Sequence, residues 1–412
     1  MNNPISNKIS NEINTAVFLL LVACLGFQPI TTDLYLATLP TLAQHFGVSA
    51  RAIDSTLQIY LIAYALAQLI TGPMSDRFGR RPILLGGIGL HIAASIGAMF
   101  ASHLAWMNTM RGLQAVGVCC TVVCCRAIVR DSLEPKDGAI SISKAMTWMG
   151  LIALLSPLTG GLIQMHFGWQ STFLFIAGFG LLSWLLAFYG YRETNRLMNA
   201  RATHLQTLIT NYLAILRHRR FILFTLVAAG TYSGLIVFLA KSPAVLIQQF
   251  KLSPIQFGLC IACCTVGFIS GTLIGRRVFA RYGMQRTFLI GAIVSACASV
   301  TMFGLVKAGL NQVIVYVGLQ VIFMVAHGIL QPIAQAAAVS DFPEKAGAAG
   351  ALMGFCIHTL AAIWLTIAGL LSPTLAWPSA VIAASLIIAC AVFALSRLAA
   401  SNASLPLTSK PV

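Results

Sequence analysis

Charge is scarce in this chain. Of its 412 residues only 9% are Asp, Glu, Lys or Arg, and acid is the rarer sign, ten residues against 26 Lys and Arg. A soluble globular domain carries about a quarter of its residues charged, so that class is excluded. No G-x-x-x-x-G-K-[ST] loop occurs, which removes ATP as the expected energy source. No nucleophile with an adjacent base, metal cluster or cofactor fingerprint appears, which argues against an enzyme. Cysteine is present, but all eleven fall in apolar runs. The close group Cys260, Cys263 and Cys264 has no His or carboxylate nearby, so it reads as packing and not as a metal site, and no disulfide framework is implied. The first fourteen residues are polar and rich in Asn and Ser, without a charged leader. The apolar run after them is too long for a signal peptide and ends in no small-residue cleavage site, so it is expected to remain in the mature chain.

What is abundant is apolar sequence, 58% of residues, arranged in runs of about twenty, the length that crosses a bilayer. Twelve spans are expected at 15–38, 52–72, 83–102, 104–126, 140–164, 169–190, 221–243, 255–275, 287–306, 311–335, 346–370 and 377–397. Their connections alternate between two faces. One face takes Lys8, Arg77, Arg80, Arg81, Arg126, Arg130, Lys136, Lys144, the Arg-rich stretch from Arg192 to Arg220, Arg276, Arg277, Arg281, Arg286, Lys345, Arg397 and Lys410; the other takes only Arg51, Lys251 and Lys307. In a soluble domain a formal charge of +16 would suggest nucleic acid. Here its one-sided placement is a topology signal that makes the basic face cytoplasmic, with both termini inside.

The stretch Gly72-Pro73-Met74-Ser75-Asp76-Arg77-Phe78-Gly79-Arg80-Arg81-Pro82 lies between spans two and three. Its two prolines predict that helices end at Gly72-Pro73 and again at Arg81-Pro82, leaving a tight charged turn. The polar interruption at 191–220 divides the spans six and six, and its Leu205–Leu216 portion reads as an amphipathic helix. Arg77-Phe78-Gly79 recurs as Arg281-Tyr282-Gly283, an offset of 204. Duplicated six-span halves belong to one large transporter class.

Several of these motifs resemble the major facilitator superfamily. Gly72 to Pro82 is similar to its G-x-x-x-D-R-x-G-R-R loop. Asp33-Leu34-Tyr35-Leu36-Ala37 to Pro40 resembles the D-x-Y-L-P-A-x-P segment of the Bcr/CflA drug-resistance branch, with Ala37 where Pro is usual. Arg111, Gln114 and Gly117 resemble R-x-x-Q-G-x-G of span four, with Ala115 in place of one Gly, and Val129-Arg130-Asp131 resembles the segment after it. Ser156-Pro157-Leu158-Thr159-Gly160-Gly161 is close to the antiporter G-P-x-x-G-G, with Ser156 for Gly. The resemblance implies an all-α integral membrane fold of twelve transmembrane helices in two pseudo-symmetric six-helix bundles, residues 15–190 and 221–397, with tails at 1–14 and 398–412.

Asp33 lies about three quarters of the way across span one, the only acidic residue deep in a span, where an ionised carboxylate costs several kcal/mol unless paired. Arg111 stands at similar depth. Two readings follow: a structural role, either an ion pair with Arg111 or a side chain that simply reaches the outer interface, or a proton site tuned by Arg111 and by substrate. The resemblance implies the second. His327 is a further proton candidate, whereas His91 and His358 read as packed polar residues. Asp76, Arg77, Arg80 and Arg81, with Gly72 and Gly79, are candidates for a conformational latch, and the resemblance makes Arg130 the partner of Asp76. Pro157, Gly160 and Gly161 supply a kink and close helix approach. Tyr35, Tyr60, Tyr64, Gln68, Gln114 and Gln331 are candidate cavity residues, because polar stripes inside a membrane must face protein or water. Lys241 is expected to snorkel at the outer end of span seven.

The expected activity is proton-coupled export of small amphipathic drugs or toxic compounds across the bacterial inner membrane, by a monomer that uses the proton gradient and needs no cofactor or nucleic acid. The alternatives are an exporter or importer of one metabolite or siderophore, and a non-transporting receptor.

Overall fold

The computed structural model describes residues 15–403 except 134, 196, 197, 199–201 and 372; the expected tail 1–14, the end of the chain from 404 and the linker arginines Arg196 and Arg201 lie outside the described residues. No strand occurs among the described residues. Span one is Thr15–Thr32, followed by a turn and the short helices Leu36–Thr38 and Leu39–His45. Spans two to six are Ser55–Phe78, Arg80–Met99, Leu104–Ser132, Pro135–Phe167 and Trp169–Gly190. After the linker helix Leu205–Leu216 come span seven, Arg219–Ser242, with the π-helical turn Pro243–Gln249, and then one helix Pro254–Lys307 of 54 residues. At about 1.5 Å per residue that helix would measure roughly 80 Å, against a hydrocarbon core of roughly 30 Å. It is two spans, eight and nine, folded at Gly283, where φ is 76° and ψ is 177°. Spans ten to twelve are Val313–Ser340, Ala346–Ala368 and Pro373–Ala403. Among the described residues eleven helices are long and apolar enough to cross a membrane, and dividing the folded one gives twelve spans.

Gly79, the counterpart of Gly283 at the 204-residue offset, has φ 98°. Both glycines sit where an L side chain would be strained, so each half turns between its second and third spans on the same backbone device.

The hinge stretch differs from the expected turn. Span two runs unbroken through Gly72 and Pro73 to Phe78, and span three already begins at Arg80 with Pro82 in its first turn. Only Gly79 leaves helical geometry. A proline at position 73 removes the hydrogen bond to the carbonyl of Leu69 four residues back. That carbonyl instead accepts the Tyr212 hydroxyl at 2.9 Å, donated by the linker helix. Pro82 costs nothing, because first-turn N–H groups have no partner within a helix.

Each half has its own apolar core, and a third cluster, containing Tyr35, Leu36, Val237, Phe238 and Val245, joins both halves toward the face opposite the basic one. Span two packs on span eleven and span five on span eight, so these helices form the seam. All eleven cysteines are free thiols.

Candidate translocation cavity and hinge

A cavity of about 210 Å³ lies at the seam. Its wall takes Gln28, Asp33 and Tyr60 from the first half and Tyr232, Phe268 and His327 from the second. Asp33 is placed by a break in span one: its N–H donates to the Pro29 carbonyl at 2.8 Å, the last helical bond before the turn. The Thr32 hydroxyl stands 2.8 Å from both Asp33 Oδ1 and the Gln28 carbonyl oxygen. The Tyr60 hydroxyl and His327 Nδ1 are buried without a hydrogen-bond partner among the described residues, which leaves polar atoms free on both sides of an otherwise apolar and aromatic space.

Gln28 Nε2 donates to the Tyr232 hydroxyl at 3.3 Å, across the seam. The two positions are 204 apart, the repeat offset itself. Residues related by a pseudo-two-fold meet only near its axis, so this pair marks the axis. Sequence reasoning singled out neither residue, although the offset was in hand.

Arg111 is fully buried and does not pair with Asp33. Its Nη1 donates to the Thr31 carbonyl at 3.0 Å and to Gln114 Oε1 at 2.8 Å, while the guanidinium carbon lies 4.3 Å from the centroid of the Tyr35 ring and 4.6 Å from that of Tyr60. Two aromatic faces, each attractive to a cation, and two carbonyl oxygens take the place of a carboxylate. Gln114 Nε2 continues to Ser95 at 2.8 Å, and the Tyr35 hydroxyl donates to Thr56 at 2.7 Å. Tyr35 and Gln114 therefore build the wall behind Tyr60 and do not line the cavity. Tyr64 lies 4.5 Å, ring to ring, from His358 across the seam, and a Cβ at Gly354 would strike the Gln68 amide. Gln331 accepts Thr231 at 2.8 Å and Gln320 accepts the Trp377 indole at 3.0 Å, so of the stripe on span ten, His327 is the member on the cavity wall.

At the basic face Asp76 and Arg80 approach to 2.5 Å, and Arg80, only 4% exposed, also donates to Asp131 at 2.9 Å and to Ser75 at 2.7 Å. Arg130 stands 3.6 Å from its neighbour Asp131 and not against Asp76, contrary to the expected pairing. One residue between them, Arg80, already takes both carboxylates. Arg77 donates to Thr203 and Arg81 to the Phe188 carbonyl; a Cβ on Gly72 would meet nothing within 4 Å. Glu193, which sequence reasoning passed over, caps span three from the linker: it accepts the N–H groups of Arg80 at 3.0 Å and of Arg81 at 2.9 Å, together with that of Asn195. Partial burial opposes its ionisation, but backbone N–H groups of Asn195, Arg81, Arg80 and Thr194 outweigh this and hold its carboxyl below the usual value.

Gly160 and Gly161 serve different contacts. A Cβ on Gly160 would overlap the backbone of Leu34 within the same half, whereas one on Gly161 would stand 2.5 Å from the Pro254 carbonyl oxygen across the seam. Lys241 does not snorkel. It is 4% exposed and paired with Asp54, itself 3% exposed, so Asp33 is not the only acid embedded in the spans.

Two six-span halves enclosing a cavity at their seam define a membrane transporter. The chain belongs to the Major Facilitator Superfamily, whose family model matches residues 19–366. It is a multi-pass transporter of small molecules and not an enzyme. It is 26% identical over 361 residues to a chloramphenicol resistance protein of Pseudomonas aeruginosa, covering 87% of this chain and 84% of that one. It is also 26% identical to a bicyclomycin resistance protein homolog of Haemophilus influenzae, covering 86% of this chain and 89% of that one. Its fold is similar to a partially occluded, inward-open structure of the xylose transporter XylE from E. coli, with a TM-score of 0.70 at 15% identity over 96% of this chain and 99% of that one.

Proposed function

We propose that the protein exports small amphipathic compounds, drugs or other toxic molecules, in exchange for protons across the cytoplasmic membrane. It does so as a monomer by alternating access, with the proton gradient as its energy source, no cofactor, and both termini on the cytoplasmic side. The observation that carries this reading is Asp33, the carboxylate on the wall of a cavity otherwise lined by apolar, aromatic and neutral polar groups. A single titratable acid there can hold either a proton or the polar end of a substrate. If substrate lowers the affinity for the proton, linkage requires that the proton lower the affinity for substrate equally. Exchange follows when the cavity faces each side in turn. Arg111 shapes the site through Tyr35 and Tyr60 and not by pairing with Asp33. The names of the relatives make chloramphenicol and bicyclomycin reasonable first compounds.

The test is proton release from purified protein in detergent on adding these two compounds and a panel of amphipathic drugs, for wild type and Asp33→Asn. Release by wild type that disappears in the variant is expected. Release of equal size from both would move the proton elsewhere, His327 first. Uptake into everted vesicles that continues after the proton gradient is collapsed would overturn coupled export.

A further inference from the structure

Asp54 and Lys241 come from opposite halves, Asp54 at the head of span two and Lys241 near the end of span seven, and their side chains pair at 4% and 6% exposure. Each is placed by its own helix. Asp54 lies at the joint between the helices Ala50–Ile53 and Ser55–Phe78, and its carbonyl accepts the Leu57 and Gln58 N–H groups at 3.0 Å. Lys241 is followed at once by the π-helical turn that begins at Pro243. Below the pair, Leu57, Ile236, Phe238 and Leu239 belong to the central cavity wall. Above it is a second space of about 410 Å³ on the far face, lined by both paired residues and by Ser49, Arg51 and Gln248. The ion pair is thus the partition between the cavity and the far-side vestibule. Asp54 is also a carboxylate that borders this far-side space, to which Ser49, Arg51 and Gln248 contribute the other polar groups besides Lys241.

We infer that Asp54 and Lys241 form the far-side gate of the transport path, and that Asp54 is a second proton-binding site, loaded from the far face, whose protonation releases Lys241. The balance is simple: one proton from the far-side water bonds to the Asp54 carboxylate, the carboxylate becomes neutral, and Lys241 keeps its charge. A buried ammonium that loses its counter-charge is strongly disfavoured where it lies, so it is driven toward the vestibule water and the halves part. The other titratable groups facing Asp54 are Arg51, which lines the same vestibule, and Tyr35, whose phenol is tied to Thr56. Among the described residues neither forms an ion pair with it, and Lys241 is the cation that locks it. This gate rests on the alternating-access reading, but its test needs no substrate, so the two fail separately.

The test uses the full chain carrying Leu239→Cys on the cavity wall, in intact cells, with a membrane-impermeant maleimide added from the far face. Labelling is compared with the chain lacking that cysteine. At neutral pH Asp54→Asn is expected to speed labelling by at least about tenfold over its Asp54 parent. The ratio of the two rates, which cancels the thiol's own chemistry, is expected to fall toward one as the external medium is brought to about pH 5, where an ordinary carboxylate begins to protonate. Lys241→Gln is expected to speed labelling as well, and keeps the test intact should Asp54→Asn not reach the membrane. Equal labelling in parent and variants at neutral pH would overturn the gate. A ratio that does not change with pH would overturn the proton site.

Discussion

Gly161→Ala is the substitution whose consequence follows most directly from the structure. The added Cβ would stand 2.5 Å from the carbonyl oxygen of Pro254, 2.9 Å from its carbonyl carbon and 3.4 Å from the Ile255 nitrogen. All three are backbone atoms of span eight, so no rotamer change relieves the collision; span eight must recede from span five by about an ångström to restore ordinary packing. Overpacking of this kind costs about 1–3 kcal/mol. The cost falls on the arrangement in which the far side is closed and vanishes once the halves part there. The balance between closed and open forms should therefore shift toward open by about 5- to 150-fold. Spin labels on cysteines at Ser49 and Gln248, both exposed and on opposite halves at the far face, would report this as a longer inter-label distance. Gly160→Ala is the matched control: its Cβ meets Leu34 within the first half, so it should lower thermal stability and leave the distance distribution unchanged. A Gly161→Ala distribution identical to wild type, or an equal shift from Gly160→Ala, would refute the assignment of these neighbours to different tasks.

Two further outcomes are expected. Glu193 has a folded-state carboxyl held below its ordinary value, so its contribution is full above the ordinary carboxylate pKa, near 4.5, and is lost as pH falls through the lowered folded value. In detergent melts from pH 7 to pH 3.5, wild type should lead Glu193→Gln at neutral pH and converge on it at the acid end; a constant gap would refute the cap. Arg111→Lys keeps the charge but not the flat contact with Tyr35 and Tyr60 or the paired donation to Thr31 and Gln114, and should cost about 1–3 kcal/mol, read as a lowered melting temperature. An unchanged melting temperature would show that a point charge suffices there.

The sequence by itself determined the number and order of the spans, the basic face and the half-to-half duplication, and it singled out Asp33, which the structure places on the cavity wall. These are properties of single segments: length and apolarity set a span, one-sided Lys and Arg set the face, and the recurrence of Arg77-Phe78-Gly79 at Arg281-Tyr282-Gly283 carries the duplication. It even contained, unread, the meeting of Gln28 with Tyr232 on the axis. Local rules misjudged Pro73, because the carbonyl it strips from span two is satisfied by Tyr212, more than a hundred residues away. Only the tertiary structure decided which charges meet. Arg111 turns to two tyrosine rings and not to Asp33, Arg80 takes both Asp76 and Asp131, Glu193 reaches back to cap span three, and Lys241 is drawn inward by Asp54. The physical reason is common to all four. An α-helix turns about 100° per residue, so sequence spacing says which residues share a face but not which neighbour that face will meet. In a low-dielectric interior the partner, once met, governs whether a charge can stay.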